Sequence, residues 1–160
     1  MTRSVVLLAT LHEFQGLARH PDSIDDPSYA SGVESFIRTG RADFVFEEAA
    51  GLGPSTAEQR ANLILGPGHY LDIDSGRNKP NLLSGPKPIC GFTSISIDLS
   101  KAREDAWFQR VNAQGFKKGL VICGAAHSLS FGFRLQDAGI SVELCQHLPY
   151  ETLCRRDHGK

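Results

Sequence analysis

The sequence predicts a single α/β domain, a mostly parallel, doubly wound sheet of about five strands with helices on both faces. Three observations favour this class. The length, 160 residues, is that of one domain. Short aliphatic and β-branched runs, typical of strands buried on both faces, alternate with amphipathic segments of helical period. Parallel strands need long crossover connections, and the segments between the runs are long enough to supply them as helices.

The predicted strands are short apolar runs, of which Val-Val-Leu-Leu-Ala at 5–9 is the clearest. The five runs lie at 5–9, 42–46, 69–73, 120–123 and 141–145. If their order in the sheet is 3-2-1-4-5, the crevice where such sheets bind ligands lies between the ends of the first and fourth strands. His12 follows the first of these strands and His127 follows the fourth.

The first two helices are predicted from their N-terminal caps. Asp26 before Pro27 has the form of an N-cap followed by a first-turn proline, and the helix that follows should end at Gly40. Ser55 stands three residues before Glu58, which is the spacing of a capping box. The apolar stripes are Tyr29, Val33, Phe36 and Ile37 in the first helix, and Ala57, Ala61 and Ile64 in the second.

Two further helices and two irregular segments complete the prediction. One helix is expected over 98–114, and another begins at Ser128, which can cap it. The residues expected to face inward are Leu99, Ala102, Ala106 and Trp107 in the third helix, and Leu129, Phe133 and Leu135 in the fourth. Residues 75–97 are rich in Gly, Pro, Ser and Asn and are predicted to be a long loop over the site. Residues 150–160 are predicted to be a polar tail.

Charge and composition argue against several classes of function. Lys and Arg number 17 against 18 Asp and Glu, so bulk charge gives no reason to expect a nucleic-acid or membrane partner. The apolar run at 5–9 is too short for a signal-peptide core or a membrane helix, so a cytoplasmic location is expected. The four cysteines show no C-x-x-C spacing, which favours reduced structural thiols over a zinc or redox motif.

The ends of three predicted strands carry the candidate catalytic residues, which are His12, Glu47, Glu48 and His127. Because parallel strands end at the same edge of a sheet, these side chains are expected to converge. His12, Glu48 and His127 form a ligand set for a catalytic divalent metal, with Mn, Co, Zn and Mg as candidates. A histidine and a glutamate also act as general base and acid without a metal. Since side chains alternate along a strand, only one glutamate should face the site, and the pattern does not say which.

Five further residues are candidates for substrate contact, namely Glu13, Asp72, Asp74, Arg77 and Ser128. Asp72 and Asp74 lie at the end of the third strand, and Arg77 lies in the long loop, where it can meet an anionic substrate. Ser128 is a better cap than nucleophile, because adjacent side chains do not readily make the hydrogen bond that a serine–histidine pair needs. The chain lacks the G-x-S-x-G, P-loop and G-x-G-x-x-G motifs, which argues against the corresponding enzyme classes.

Three sequence blocks carry a family resemblance. They are Ala-Thr-Leu-His at 9–12, Phe-Val-Phe-Glu-Glu at 44–48, and Val-Ile-Cys-Gly-Ala-Ala-His at 121–127, the last continuing to Gly-Ile-Ser-Val-Glu-Leu at 139–144. These blocks resemble the Tiki/TraB superfamily, which includes the erythromycin-esterase-like and ChaN-like proteins. The resemblance implies that His12, Glu47 or Glu48, and His127 occupy active-site positions. It also implies metal-dependent peptidase or other hydrolase activity in some members. Ala9 departs from the glycine of the usual G-x-x-H pattern.

The candidate residues are compatible with two functions of different class. The first is a hydrolase acting on a small-molecule or peptide substrate, in which His12, His127 and one glutamate hold a divalent metal or poise a water. The second is a non-catalytic module that binds a small ligand or haem in the same pocket, under the 75–97 loop. A degenerate domain that acts only as an interaction partner, and assembly as a homodimer, remain open.

Overall fold

The computed structural model describes residues 2–75 and 94–147, with side chains in the second segment from Lys101 onward. Its strands are β1 (Ser4–Thr10), β2 (Phe44–Glu47), β3 (Tyr70–Asp72), β4 (Lys118–Gly124) and β5 (Ser141–His147). Its helices are α1 (Pro27–Arg38), α2 (Thr56–Ile64), α3 (Ser94–Asn112) and α4 (Ser128–Asp137). No helix within these segments is both long and apolar enough to cross a membrane.

The five strands form one sheet in which every pair is parallel. Helices cover both of its faces. Clusters of buried side chains show that α1 and α2 pack on one face and α3 and α4 on the other. The α/β class, the single sheet and the parallel pairing predicted from the sequence are therefore confirmed.

The strand order is 3-2-4-1-5, so the expected order 3-2-1-4-5 is wrong. β4 pairs with both β1 and β2, and it separates them. Strands buried on both faces show the same apolar pattern beside any neighbour, so the sequence does not encode which strand lies next to which. The end of β2 consequently lies beside the end of β4, while β1 and β4 remain neighbours as expected.

The two N-terminal helices begin as the sequence predicts. The Asp26 carboxylate accepts hydrogen bonds from the backbone N–H groups of Ser28 and Tyr29, at 3.0 and 3.1 Å. The Ser55 hydroxyl accepts one from the Glu58 N–H at 3.0 Å. Both caps satisfy amide groups that a helix leaves without an internal partner.

The third helix differs from its prediction in extent and in orientation. It begins at Ser94, so the last four residues of the expected 75–97 loop are helical. Residues 76–93, which include Arg77, and the tail 150–160 lie outside the described residues. Ala102 and Ala106 are exposed instead of facing inward, and Leu99 has no described side chain. The buried side of the helix consists of Glu104, Trp107 and Val111.

The fourth helix is also rotated relative to its prediction. Leu135 is buried as expected, but Leu129 and Phe133 are each 63% exposed, and Phe131 is buried in their place. The reason is a contact with another helix, because the Phe131 ring packs edge-on against Trp107 with centroids 5.5 Å apart. Ser128 is the first helical residue and not a cap, since its hydroxyl donates to the Ala125 carbonyl at 2.9 Å.

The orientation of α4 predicts opposite outcomes for two phenylalanines two residues apart. Phe131→Ala removes a fully buried ring and should lower the free energy of unfolding by about 3–5 kcal/mol. Phe133→Ala truncates an exposed ring and should change it by about 0.5 kcal/mol or less. Urea denaturation measures both values. Equal destabilisation by the two variants would contradict this orientation.

Candidate active site

Two consecutive glutamates at the end of β2 are almost completely buried, with Glu47 at 0% and Glu48 at 1% exposure. Alternation along the strand sends them to opposite faces. Glu47 shares the face of Val45, which packs with α1 and α2. Glu48 shares the face of Phe46, which packs with α3 and α4. The structure thus separates the two glutamates, whose environments differ in charge.

Glu48 is an ionised carboxylate with three partners among the described residues. Its Oε1 lies 2.7 Å from Nη2 of Arg103 and 3.4 Å from Nε2 of His12, and its Oε2 accepts the Gly124 N–H at 2.8 Å. Burial opposes its ionisation, but the hydrogen bond and charge of His12, the Gly124 amide and Arg103 outweigh burial. Together they lower the pKa of Glu48 to about 2.

Arg103 connects this carboxylate to a second one. The same Nη2 lies 3.0 Å from Oδ2 of Asp74, whose Oδ1 accepts the indole N–H of Trp107 at 2.9 Å. The guanidinium also lies over the Trp107 ring, 5.1 Å from its centroid. One cation from α3 therefore compensates a carboxylate from β2 and another that follows β3.

The His12 imidazole is the partly exposed partner of Glu48, with its side chain 32% exposed. It belongs to a short 3-10 helix, His12–Phe14, that follows β1. Its Nδ1 contacts Oε1 of Gln15 at 2.6 Å, and its ring stacks on His20 with centroids 6.5 Å apart. Each ring nitrogen thus faces a buried side chain, while part of the ring remains exposed to solvent.

Glu47 has no cationic partner among its described contacts. Its Oε2 accepts hydrogen bonds from the hydroxyls of Ser55 and Tyr70, and its Oε1 accepts the Gln15 amide at 2.9 Å. Burial is the largest influence and raises the pKa of Glu47 to about 7, although the three hydrogen bonds act in the opposite direction. The two glutamates therefore have pKa values displaced in opposite directions.

His127, at the end of the 3-10 helix Ala125–His127 that precedes α4, forms a second imidazole–carboxylate pair with Glu104 of α3. Its Nδ1 lies 3.4 Å from Oε2 of Glu104, and Ser130 donates to the other oxygen of that carboxylate at 2.5 Å. The ring packs edge-on against Trp107 with centroids 5.0 Å apart. Trp107 and Arg103 thereby join the two histidine pairs in one connected group at the carboxyl edge of the sheet.

The remaining predicted residues have separate positions. The Asp72 carboxylate accepts the N–H groups of Ala49, Gly51 and Asp74, so it fixes the loop after β2. Ala50 within that loop has a left-handed backbone, with φ of 53°. Glu13 is partly exposed beside His12, and Ser128 is buried against its own helix turn. Of the residues predicted to contact substrate, only Asp74 has a described link to Glu48, because both carboxylates contact Arg103.

Glu48, one of the three expected metal ligands, already has protein partners. Arg103 and the Gly124 amide already engage its two oxygens, and His127 is engaged by Glu104. Arg103 lies 2.7 Å from Glu48 Oε1, so a metal ion at this oxygen would lie close to a guanidinium charge. In the described part of the chain, no group of three or more His, Cys, Asp or Glu side chains is arranged to hold a metal ion.

The sequence analysis did not identify five residues that contact the candidate glutamates and histidines or their partners. They are Gln15, Tyr70, Arg103, Glu104 and Trp107. One signal for part of this set was available. Arg103 and Glu104 stand one turn before Trp107, the only tryptophan of the chain, which the sequence already predicted to face inward. Residues one turn apart share a helix face, so the sequence places these two charged residues on the same face as Trp107.

A scan against models of known protein families finds none that matches this chain, and a search of curated proteins finds no matching relative. The resemblance to the Tiki/TraB superfamily therefore remains a hypothesis based on the strand-end motifs.

The raised pKa of Glu47 predicts a specific dependence of stability on pH. The pKa of Glu47 is 4.5 in the unfolded chain and about 7 in the folded protein, so the folded state binds this proton more tightly. The stabilisation is fully present below pH 4.5 and is lost as the pH rises through 7. Between these limits the wild-type free energy of unfolding should fall by about 3 kcal/mol more than that of Glu47→Gln.

Denaturation curves of both proteins from pH 4.5 to 8 measure this difference. Glu143→Gln alters an exposed carboxylate on β5 and should follow the wild type. Parallel pH profiles for the wild type and Glu47→Gln would rule out a raised pKa at Glu47.

The last residue of β4, Gly124, leaves room for the His12–Glu48 pair. A Cβ at this position would lie 3.3 Å from Glu48 Oε2 and 3.4 Å from His12 Nε2. Gly124→Ala should therefore displace the pair and lower the free energy of unfolding by about 1–3 kcal/mol. Gly132→Ala in α4 meets only ordinary contacts at 3.7 and 3.9 Å and should be neutral or stabilising by about 0.5–1 kcal/mol. Thermal and urea unfolding distinguish the two variants, and a neutral Gly124→Ala would contradict the tight contact.

Proposed function

We propose that this protein is a hydrolase in which His12 transfers a proton as water attacks an ester or amide bond of a small molecule or peptide. One observation carries the proposal. A partly exposed imidazole contacts two buried side chains, Gln15 and Glu48, one at each ring nitrogen. Fixed orientation beside a carboxylate and access from solvent are what a general acid–base histidine requires.

Glu48 provides the negative charge that stabilises His12 after it accepts a proton. With a pKa of about 2, Glu48 stays ionised at neutral pH and does not itself take up the proton. When His12 accepts a proton at Nε2, the Glu48 carboxylate 3.4 Å away stabilises the imidazolium that forms. His12 Nε2 is the atom we assign to the proton of the attacking water.

Arg103 holds the Glu48 carboxylate beside His12. It contacts Glu48 and Asp74 from one guanidinium nitrogen, so neither carboxylate is buried without a cation. In this arrangement, Arg103 supplies the positive charge that a metal ion would bring to Glu48. We therefore favour hydrolysis without a bound metal over the metal-dependent route that the sequence also suggested.

His127 and Glu104 provide a second proton-transfer pair on the neighbouring strand end. Hydrolysis needs one proton removed from water and one delivered to the leaving group. We assign delivery to His127, whose ring lies against Trp107, the residue that also binds Asp74. The resemblance of the strand-end motifs to a superfamily with hydrolase members supports the same class.

Loss of the His12 imidazole tests the proposal directly. A panel of chromogenic carboxylic esters and aminoacyl anilides identifies a turned-over substrate, and His12→Gln should then lower kcat by about 10²–10⁴-fold. His69→Gln is the matched control, because His69 is exposed and precedes β3, and it should retain activity. Equal activity of His12→Gln and wild type would refute the role of His12.

Chelation separates the two routes of hydrolysis. Activity that persists after dialysis against a chelator agrees with the Arg103 arrangement. Activity that is lost on dialysis and restored by Zn²⁺, Mn²⁺, Co²⁺ or Mg²⁺ would instead favour the metal-dependent route.

A further inference from the structure

Gln15 is a buried amide that joins the two glutamate environments to His12. It is 0% exposed and follows the 3-10 helix that carries His12. Its Nε2 donates to Glu47 Oε1 at 2.9 Å and to the Glu48 carbonyl oxygen at 3.2 Å. Its Oε1 contacts His12 Nδ1 at 2.6 Å. One side chain thus contacts Glu47 and Glu48 at the end of β2 and His12 after β1.

The partners of Gln15 determine which way its amide points. The Glu48 carbonyl oxygen accepts hydrogen bonds only, and so does Glu47 when it is ionised. Rotating the amide by 180° would place an oxygen against both and leave the NH₂ group facing His12. The Gln15 oxygen therefore faces the imidazole, and the short contact at 2.6 Å requires a proton on His12 Nδ1.

The backbone around Gln15 allows little reorientation. Its carbonyl accepts the Thr56 N–H at 3.1 Å, which fixes the segment to the start of α2. Gly16 has a left-handed φ of 61°, and a Cβ there would lie 2.2 Å from the Thr56 hydroxyl. Close approach of these two segments therefore depends on a residue without a side chain.

We propose that Gln15 is a positioning residue that keeps the proton of neutral His12 on Nδ1 and leaves Nε2 as the basic nitrogen. The inference rests on the proposed function only in that Nε2 is the atom assigned to proton transfer there. Glu48 Oε1, 3.4 Å from Nε2, favours the opposite tautomer, because a proton on Nε2 would donate to it. Gln15 is thus the group that decides between two competing tautomers.

Nitrogen NMR of the imidazole rings tests this assignment without any substrate. Uniformly ¹⁵N-labelled protein is measured at a pH where the rings are neutral, and the His12 signals are assigned by their loss in His12→Gln. The wild type should show the protonated nitrogen at Nδ1, the less populated form of free histidine. Gln15→Met removes the acceptor with little change in side-chain length, and the proton should move to Nε2, beside Glu48.

Gln59→Met is the matched control, since Gln59 is exposed on α2, and it should leave the His12 signals unchanged. A proton on Nε2 in the wild type overturns the inference even if Gln15→Met does not fold. So does a proton that stays on Nδ1 in folded Gln15→Met.

Activity on the substrate found above separates this inference from the proposed function. Gln15→Met should lower kcat by about 10–100-fold with little change in KM. If the tautomer shifts as expected but His12→Gln remains active, the positioning role holds and the proposed function fails. If His12→Gln is inactive and the tautomer does not shift, the function holds and the role of Gln15 fails.

Discussion

Burial of two consecutive carboxylates at the end of β2 is the constraint on which the rest of this site depends. Each buried ion costs several kcal/mol unless charges or hydrogen bonds compensate it. Glu48 is compensated by Arg103 and His12, and Glu47 by two hydroxyls and an amide. Four parts of the chain must therefore meet the end of β2. They are the segment after β1, the N-cap of α2, β3 and α3.

The two compensations produce different chemistry at adjacent positions. Arg103, His12 and the Gly124 amide keep Glu48 charged at neutral pH, which makes it a stable partner for His12. Burial raises the pKa of Glu47 to about 7, and its described partners are hydrogen-bond donors without a cation among them. Gln15 contacts both residues, so the geometry of His12 depends on the α1–α2 face as well as on the α3–α4 face. Pairs of groups with pKa values pushed apart are typical of acid–base sites.

Local patterns were sufficient for the class of fold and for placing the candidate residues at one edge of the sheet. Continuous apolar runs predicted the strands, and the caps at Asp26 and Ser55 predicted the starts of two helices. The histidines that follow β1 and β4 could be placed on neighbouring strand ends. The inward faces of α3 and α4 were predicted only in part. Trp107 and Leu135 are buried as expected, but Glu104 is also buried by its partners and Phe131 by Trp107.

The sequence alone determined a parallel α/β sheet with histidines and glutamates at its carboxyl edge, because hydrophobic period and capping act between residues close in the chain. Only the tertiary structure decided that β4 lies between β1 and β2, that Glu48 and not Glu47 meets His12, and that Arg103 neutralises it. These outcomes depend on contacts between residues far apart in the chain, such as Glu48 with Gly124, which are 76 positions apart. Such contacts form only when the sheet is assembled, so no local pattern encodes them.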